Sequence, residues 1–334
     1  MKAWRIASFG NLELADLRHP APGPGQVLIK VKAVSLNYRD LLMLKGLYNP
    51  KLQMPRIPCS DGAGEIAAIG DGVTAVGVGD RVAGIFMQNW LYGEPERTNT
   101  RGALGGDIDG MLAEYVVLNE SGVVPFPAHL SVAEASTLPC AAVTAWNALT
   151  TATSTRAGDT VVIQGTGGVS IFALQFAKLL GARVLGTSSS DQKLARARSL
   201  GLDAGVNYKT TPDWARWVLD QTGGAGADLV VEVGGAGTLG QSIRAVRIGG
   251  AVAQIGVLTG GAQPLEIAPI LHKQLRLRGI YVGSKADFIA MNKALSESRM
   301  KPVIDREFAF AEAPEALRFM EAGSHFGKLV IHIP

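Results

Sequence analysis

The sequence predicts an α/β protein in two parts, a β-rich N-terminal half and a doubly wound parallel sheet with helices on both faces. Three observations predict it. Up to about residue 124, short runs of alternating apolar and polar residues are separated by Gly, Asp and Pro. From Thr160 onward, apolar strands alternate with helical segments. Between the first of those strands and the helix after it lies a glycine-rich loop.

In order along the chain, "QVLIKVKAVSLN" alternates as a half-buried strand does, and "GDRVAGIF" and "MLAEYVVLN" are further short strands of a small barrel or sandwich. "SVAEASTLPCAAVTAWNALTTAT" reads as helical, with Ser131 as N-cap and Glu134 three residues on. Then follow "TVVIQ", "FALQFAKLLG", "ARVLGT", "DQKLARARSLG", "DLVVEV", "TLGQSIRAV" and "GGAVAQIGV", the strand–helix alternation of parallel βαβ units. After "LRLRGIYVG" come a helix over 286–299, "REFAF", another helix and the closing strand "GKLVIHIP", a tail that is expected to return to the first domain. The expected domains are therefore 1–124 completed by 284–334, and 125–283, which suits a chain of 334 residues.

Composition narrows the function. The 32 basic and 29 acidic residues are interspersed, which argues against a nucleic-acid surface. The longest apolar helix candidate, "IFALQFAKLLGA", is too short for a membrane span and carries Lys178. The N-terminus has no continuous apolar run of the secretory kind. With Cys59 and Cys140 the only cysteines, a disulfide framework is excluded and a reducing cytoplasm is the expected location. There is no G-x-S-x-G elbow and no H-E-x-x-H, so hydrolase chemistry is not expected.

"TVVIQGTGGVSIFALQFAKLLGARVLGTSSS" is the most informative stretch. Gly165, Thr166, Gly167, Gly168 and Val169 form a loop between strand and helix, the setting in which a glycine triplet marks a dinucleotide site. Gly165 permits the tight turn, Gly167 admits a pyrophosphate to the backbone, and the helix N-terminus meets its charge. Ser170 stands where the third glycine is usual, a packing position that tolerates a small side chain. The second strand ends in Thr187, Ser188, Ser189 and Ser190 instead of the Asp or Glu that holds an NAD ribose. Hydroxyls followed by Lys193 favour a 2′-phosphate, hence NADPH. Asp191 is the counter-evidence, read here as a first-turn acid stabilised by the helix dipole.

These motifs, with "SLNYRD", "PCSDGAGEI", "VGVGDRV" and "GKLVI", resemble the medium-chain dehydrogenase/reductase superfamily over nearly the whole length. The resemblance implies a GroES-like β-barrel catalytic domain and a Rossmann cofactor domain. Zinc-dependent members carry Cys where this sequence has Asn37, His-Glu where it has Ser60-Asp61, and a later Cys where it has Cys140. Only one of the three usual ligand positions keeps a ligating side chain, whereas catalytic zinc needs three. Asp61 and Asp40 are the remaining oxygen donors, the five histidines are isolated, and the cysteines of a structural zinc lobe are absent. No metal is therefore expected, and Cys140 is read as a small buried residue.

Within the superfamily the sequence looks most like the zinc-independent quinone oxidoreductase branch. "NYRDLLMLKGLY" is similar to its Asn-x-x-Asp segment followed by Gly-x-Tyr, and "SSSDQK" with Tyr208 resembles its 2′-phosphate contacts. The resemblance also implies that Thr144, Val233, Ile255, Gly256, Val257, Tyr281, Val282 and Lys328 line the nicotinamide half of the coenzyme. The expected reaction is hydride transfer to a quinone or α,β-unsaturated carbonyl compound in the cleft between the domains, since a conjugated acceptor spreads charge without a Lewis acid. Tyr48 is the candidate proton donor, or else a loop Tyr closing the cleft. Asn37 holds the acceptor carbonyl or a water, or caps a backbone. Asp40 caps the helix "LLMLKG" or orients its neighbours, and Arg39 is expected at the surface. A zinc-free alcohol or aldehyde dehydrogenase and a non-catalytic NADPH-binding protein are the alternatives. The apolar strand "LRLRGIYV" at a sheet edge predicts a homodimer.

Overall fold

The computed structural model describes residues 1–334. In chain order the first elements are β1 (Lys2–Ser8), β2 (Asn11–Asp16), β3 (Gln26–Ser35), α1 (Tyr38–Leu44), β4 (Asp61–Ile69), β5 (Arg81–Gly84), β6 (Tyr115–Asn119), β7 (Val123–Pro125), α2 (Val132–Ser136) and α3 (Val143–Leu149). There follow β8 (Thr160–Gln164), α4 (Gly168–Leu179), β9 (Arg183–Ser188), α5 (Asp191–Ser199), β10 (Ala204–Asn207), α6 (Trp214–Gln221), β11 (Ala227–Glu232), α7 (Ala236–Ala245), β12 (Val246–Gln254), α8 (Ala268–His272) and β13 (Arg276–Gly279). The tail holds α9 (Lys285–Ser298), β14 (Ile304–Ala309), α10 (Ala313–Glu321) and β15 (Lys328–His332). No helix is long and apolar enough to cross a membrane.

The chain forms two compact units, Met1–Val143 with Gly283–Pro334, and Thr144–Val282. In the first, β3 is the axis of a seven-stranded sheet ordered β14-β15-β3-β4-β5-β7, with β6 also paired to β3. Val27, Ile29, Val31 and Val34 of β3 pack with Ile66, Val82, Leu329 and Ile331 in one apolar core. Burying a side chain of this size contributes about 1.5–3 kcal/mol. β15 runs antiparallel to β3 on the side opposite β4, which brings the C-terminal tail into this unit. Residues 125–143 belong here too, not to the second domain as expected, because α2 packs against β3, β4 and β5. Ser131 caps α2 as expected: its Oγ accepts from Glu134 N, and the Glu134 carboxylate accepts from Ser131 N. Past α2 the chain widens into a π-helical turn over Leu138–Ala142, where Pro139 lacks the N–H an α-helix would use.

The second unit is a six-stranded sheet ordered β10-β9-β8-β11-β12-β13, parallel throughout. Its central strands are buried on both faces: Val162, Leu185, Val230 and Val252 lie in one core with Trp214 and Val218 of α6. From β8 the order runs to β9 on one side and to β11 on the other. The crevice beyond the β8 and β11 ends is therefore a topological switch point, where open α/β sheets bind ligands. β13 is the edge strand, and all four of its residues are exposed.

Candidate functional site

The glycine loop lies at that switch point. Gly165 has φ +68°, a left-handed conformation that glycine adopts without strain, and its N–H donates to Thr187 O at 2.7 Å. A Cβ added at Gly165 or Gly167 would meet no atom within 4 Å, so the loop backbone faces open space. Gly167 is the N-cap of α4 and has no side chain to satisfy the helix's first N–H groups. Open backbone at a helix N-terminus fits a pyrophosphate. Ser170 shows how the missing third glycine is accommodated. It is buried, and its Oγ donates to Gln164 O at 2.6 Å, tying the first turn of α4 to the end of β8.

At the next strand end, Ser190 caps α5 by accepting from Lys193 N at 3.3 Å. Ser190 N in turn donates to Ser188 Oγ at 3.3 Å, and Tyr208 N donates to Ser188 O at 3.0 Å. The fold thus gathers Ser188, Ser189, Ser190, Lys193 and Tyr208 at the C-terminal ends of β9 and β10. Ser188 is buried, which leaves Ser189 and Ser190 as the reachable hydroxyls. Asp191 opens α5 and accepts from Asn207 Nδ2 at 3.1 Å, consistent with a first-turn acid held by its neighbour.

Beyond β11 and β12, Val233, Ile255 and Gly256 are half-buried and Val257 is exposed. These two loops interlock, since a Cβ on Gly256 would lie 2.0 Å from Val233 O. Thr144 is buried and Tyr281 is exposed. Val282 has φ +62°, a strained conformation for a β-branched residue, and its carbonyl accepts from Asn147 Nδ2 at 2.7 Å.

The first unit holds a different kind of centre. Asp61 opens β4 opposite Ser35 of β3, and Lys328 opens β15 on the other flank of β3. Lys328 is buried; its Nζ donates to Leu36 O and to Asn37 Oδ1, both at 2.6 Å, and lies 3.7 Å from Asp61 Oδ2. Ser60 Oγ donates to Asp61 Oδ1 at 2.8 Å. Two of the three Lys328 N–H donors thus go to Leu36 and Asn37 within the first unit. Asn37 is the N-cap of α1, and its Oδ1 accepts from Lys328 Nζ. Asp40 is the third residue of a helix that starts at Tyr38, and its carboxylate accepts from Asn37 N at 2.8 Å.

Two carboxyls here are pushed above the ordinary carboxylate range by burial. Asp40 reaches about 6, with Arg39 and the Asn37 N–H opposing the rise. Asp61 rises against the pull of Lys328, the Asn37 amide, the Ser60 hydroxyl and the Cys140 backbone. Ser35 Oγ, Arg39 Nε and Asp40 Oδ1 of this centre are buried without a hydrogen-bond partner, while Asp61 Oδ2 has only the Asn37 amide and the Lys328 ammonium 3.7 Å away. Such orphans are rare and mark a place where a ligand or water has groups to satisfy.

Arg39 is buried, not at the surface. Nη1 donates to Leu104 O at 2.9 Å, and the guanidinium lies 4.7 Å from the Phe86 ring centroid and 5.4 Å from that of Tyr48. Gly106 makes room for it, since a Cβ there would sit 2.3 Å from Arg39 Nη2. Tyr48 is 40% exposed, so its ring is backed by a fixed cation while part of it stays accessible. Cys59 adopts φ +68° in the turn before β4, which explains the glycines around it: Gly105 and Gly110 each pass within 3 Å of its backbone where a Cβ would be.

The donors present do not fit a catalytic zinc. No three His, Cys, Asp or Glu side chains group to hold a metal ion, and an ammonium is hydrogen-bonded to the side chain at the first ligand position.

Sequence reasoning placed Arg39 at the surface and gave Gln164 and Glu232 no role. For Glu232 a signal was present: an acid inside the apolar run "DLVVEVGG" marks a buried carboxylate with dedicated partners.

Comparison with known proteins places these features in a family. Residues 23–128 match the alcohol dehydrogenase GroES-like domain and residues 168–297 the zinc-binding dehydrogenase domain. A zinc-type alcohol dehydrogenase-like protein of Schizosaccharomyces pombe is 44% identical over 98% of this chain and 97% of its own. A solved structure of an NAD-dependent alcohol dehydrogenase superposes with a TM-score of 0.92 at 36% identity, covering 100% of both chains. An acryloyl-coenzyme A reductase of Metallosphaera sedula is 27% identical over 96% of each chain. On this evidence the chain belongs to the medium-chain dehydrogenase/reductase superfamily, as an oxidoreductase of the nicotinamide-dinucleotide-dependent alcohol dehydrogenase family.

Proposed function

We propose that the protein is an NADPH-dependent, zinc-independent reductase of activated alkenes or quinones. The observation that carries this reading is the Lys328–Asn37 hydrogen bond: the chain's own ammonium and carboxamide occupy a centre whose donors do not fit zinc. Without a Lewis acid, an isolated ketone lacks its usual charge stabiliser, whereas a conjugated acceptor delocalises the incoming charge. The likeness to an acryloyl-coenzyme A reductase supports alkene reduction.

When bound, a nicotinamide coenzyme would supply a hydride for the β-carbon of the conjugated acceptor. The chain's residues supply the rest. Lys328 fixes Asn37 Oδ1, and of the two N–H groups of the Asn37 amide one serves Asp61 and the other would meet the acceptor's oxygen or a water. Tyr48 delivers the proton that balances the hydride, its ring held by Arg39. Gly165, Gly167 and the α4 N-terminus hold the pyrophosphate, and Ser189, Ser190, Lys193 and Tyr208 hold the 2′-phosphate. Two copies would pair along the exposed β13 edge.

An NAD-dependent alcohol dehydrogenase is the second reading, favoured by the names of the relatives and by Asp191. The Lys193→Glu variant separates the two. Losing one charge-assisted bond worth about 1.5–3 kcal/mol should weaken NADPH binding at least ten-fold and leave NADH binding within two-fold. Unchanged NADPH affinity in a fluorescence titration would remove the phosphate pocket from the account.

A further inference from the structure

Glu232 ends β11 with no exposed surface, and every acceptor position on it is used. Oε1 accepts from Gly234 N at 2.7 Å, Gly235 N at 2.9 Å and Thr238 Oγ1 at 2.6 Å. Oε2 accepts from Gln164 Nε2 at 2.7 Å and from Ser242 Oγ. Its backbone carbonyl accepts from Ile255 N at 2.8 Å and Gly256 N at 3.2 Å. The carboxylate thereby anchors the turn that leads into α7, whose first N–H groups go to Gly260 O and Thr259 Oγ1.

Through these bonds one residue joins three loops at the switch point. Gln164, the last residue of β8, directly precedes Gly165, and its Oε1 accepts from Val233 N and Gly234 N. Gly234 O accepts from Thr259 N at 2.7 Å, and Ala236 N donates to Gly260 O at 3.0 Å. The space at Gly235, which has φ +92°, is set to a few tenths of an ångström: a Cβ there would lie 2.7 Å from Val257 Cα. None of the hydrogen bonds to the Glu232 carboxylate comes from the β9 and β10 ends, where the adenosine half of a dinucleotide would sit across the switch point; only Gln164, by strand pairing with Thr187, reaches the β9 end.

We propose that Glu232 is a positioning residue for the nicotinamide half of the coenzyme, fixing residues 233–235 and 255–260 relative to the Gly165 loop. This rests on the family's use of a nicotinamide dinucleotide and holds for NADH and NADPH alike. Glu232→Gln keeps the volume but presents an NH2 to a cluster of donors. Titrations of wild type and variant with NADPH, NADH and adenosine 5′-monophosphate test it. The preferred coenzyme should bind the variant at least ten-fold more weakly, with binding of the monophosphate changed less than three-fold. Thr238→Val, which removes one hydroxyl donor, serves where Glu232→Gln fails to fold. It should weaken the coenzyme two- to five-fold and spare the monophosphate. Equal losses for coenzyme and monophosphate, or no loss in either folded variant, would overturn the proposal. A preference for NADH would count against the 2′-phosphate pocket and leave this ratio unaffected.

Discussion

Both units bury acids, and they treat them in opposite ways. Glu232 in the parallel sheet has a donor for every lone pair, and none of its atoms is orphaned. Asp40 in the first unit keeps one unpartnered oxygen beside an unpartnered Arg39 Nε, and Asp61 Oδ2 has only the Asn37 amide and an ammonium 3.7 Å away. A fully satisfied carboxylate shapes its surroundings; an under-satisfied centre keeps bonding capacity for something else. The contrast separates scaffold from chemistry: the first network fixes loops, the second holds polar groups in reserve around a buried ammonium.

The largest expected effect that sharpens this contrast comes from Lys328. Lys328→Ala leaves Asp61 as a buried carboxylate without its cation, which should cost about 3–5 kcal/mol in urea unfolding. The double variant Lys328→Met with Asp61→Asn removes both charges and should recover most of that loss. A single variant within 1 kcal/mol of wild type would mean that the ammonium is not holding the centre together.

A smaller effect concerns pH. Burial raises Asp40 to about 6, so the folded protein holds a proton that the unfolded chain releases near 4. Stability from this residue is present below the ordinary value and is lost as pH rises from about 4 to about 6, by roughly 3 kcal/mol. Asp61 shifts in the same direction and adds to the slope. Asp40→Asn should flatten the fall in unfolding free energy between pH 4 and 6 relative to wild type. Equal slopes in the two proteins would show that Asp40 does not titrate in this window.

How much of this was legible in the sequence follows from how local each signal is. The βαβ alternation, the Gly165 loop and the Ser131–Glu134 cap are written within a few residues of one another, and each took the expected form. The helix at Tyr38 started three residues earlier than "LLMLKG" suggested, because Asn37 and Asp40 make the turn that opens it. Lys328 meets Leu36 only because β15 and β3 pair across most of the chain. Periodicity places Lys328 at a strand start but does not say what its ammonium touches. Arg39 looks like a surface residue in "NYRD" until Gly106, far along the chain, leaves the space that buries it. Asn37, Ser60 and Asp61 were visible residue by residue, whereas the ammonium set beside them was not.

The position of the transferred hydrogen tests the central claim most directly. With NADPH deuterated at the transferring carbon and an α,β-unsaturated ketone as acceptor, the account predicts a saturated ketone carrying deuterium on its β-carbon. An allylic alcohol with deuterium on the former carbonyl carbon would identify carbonyl reduction and contradict it.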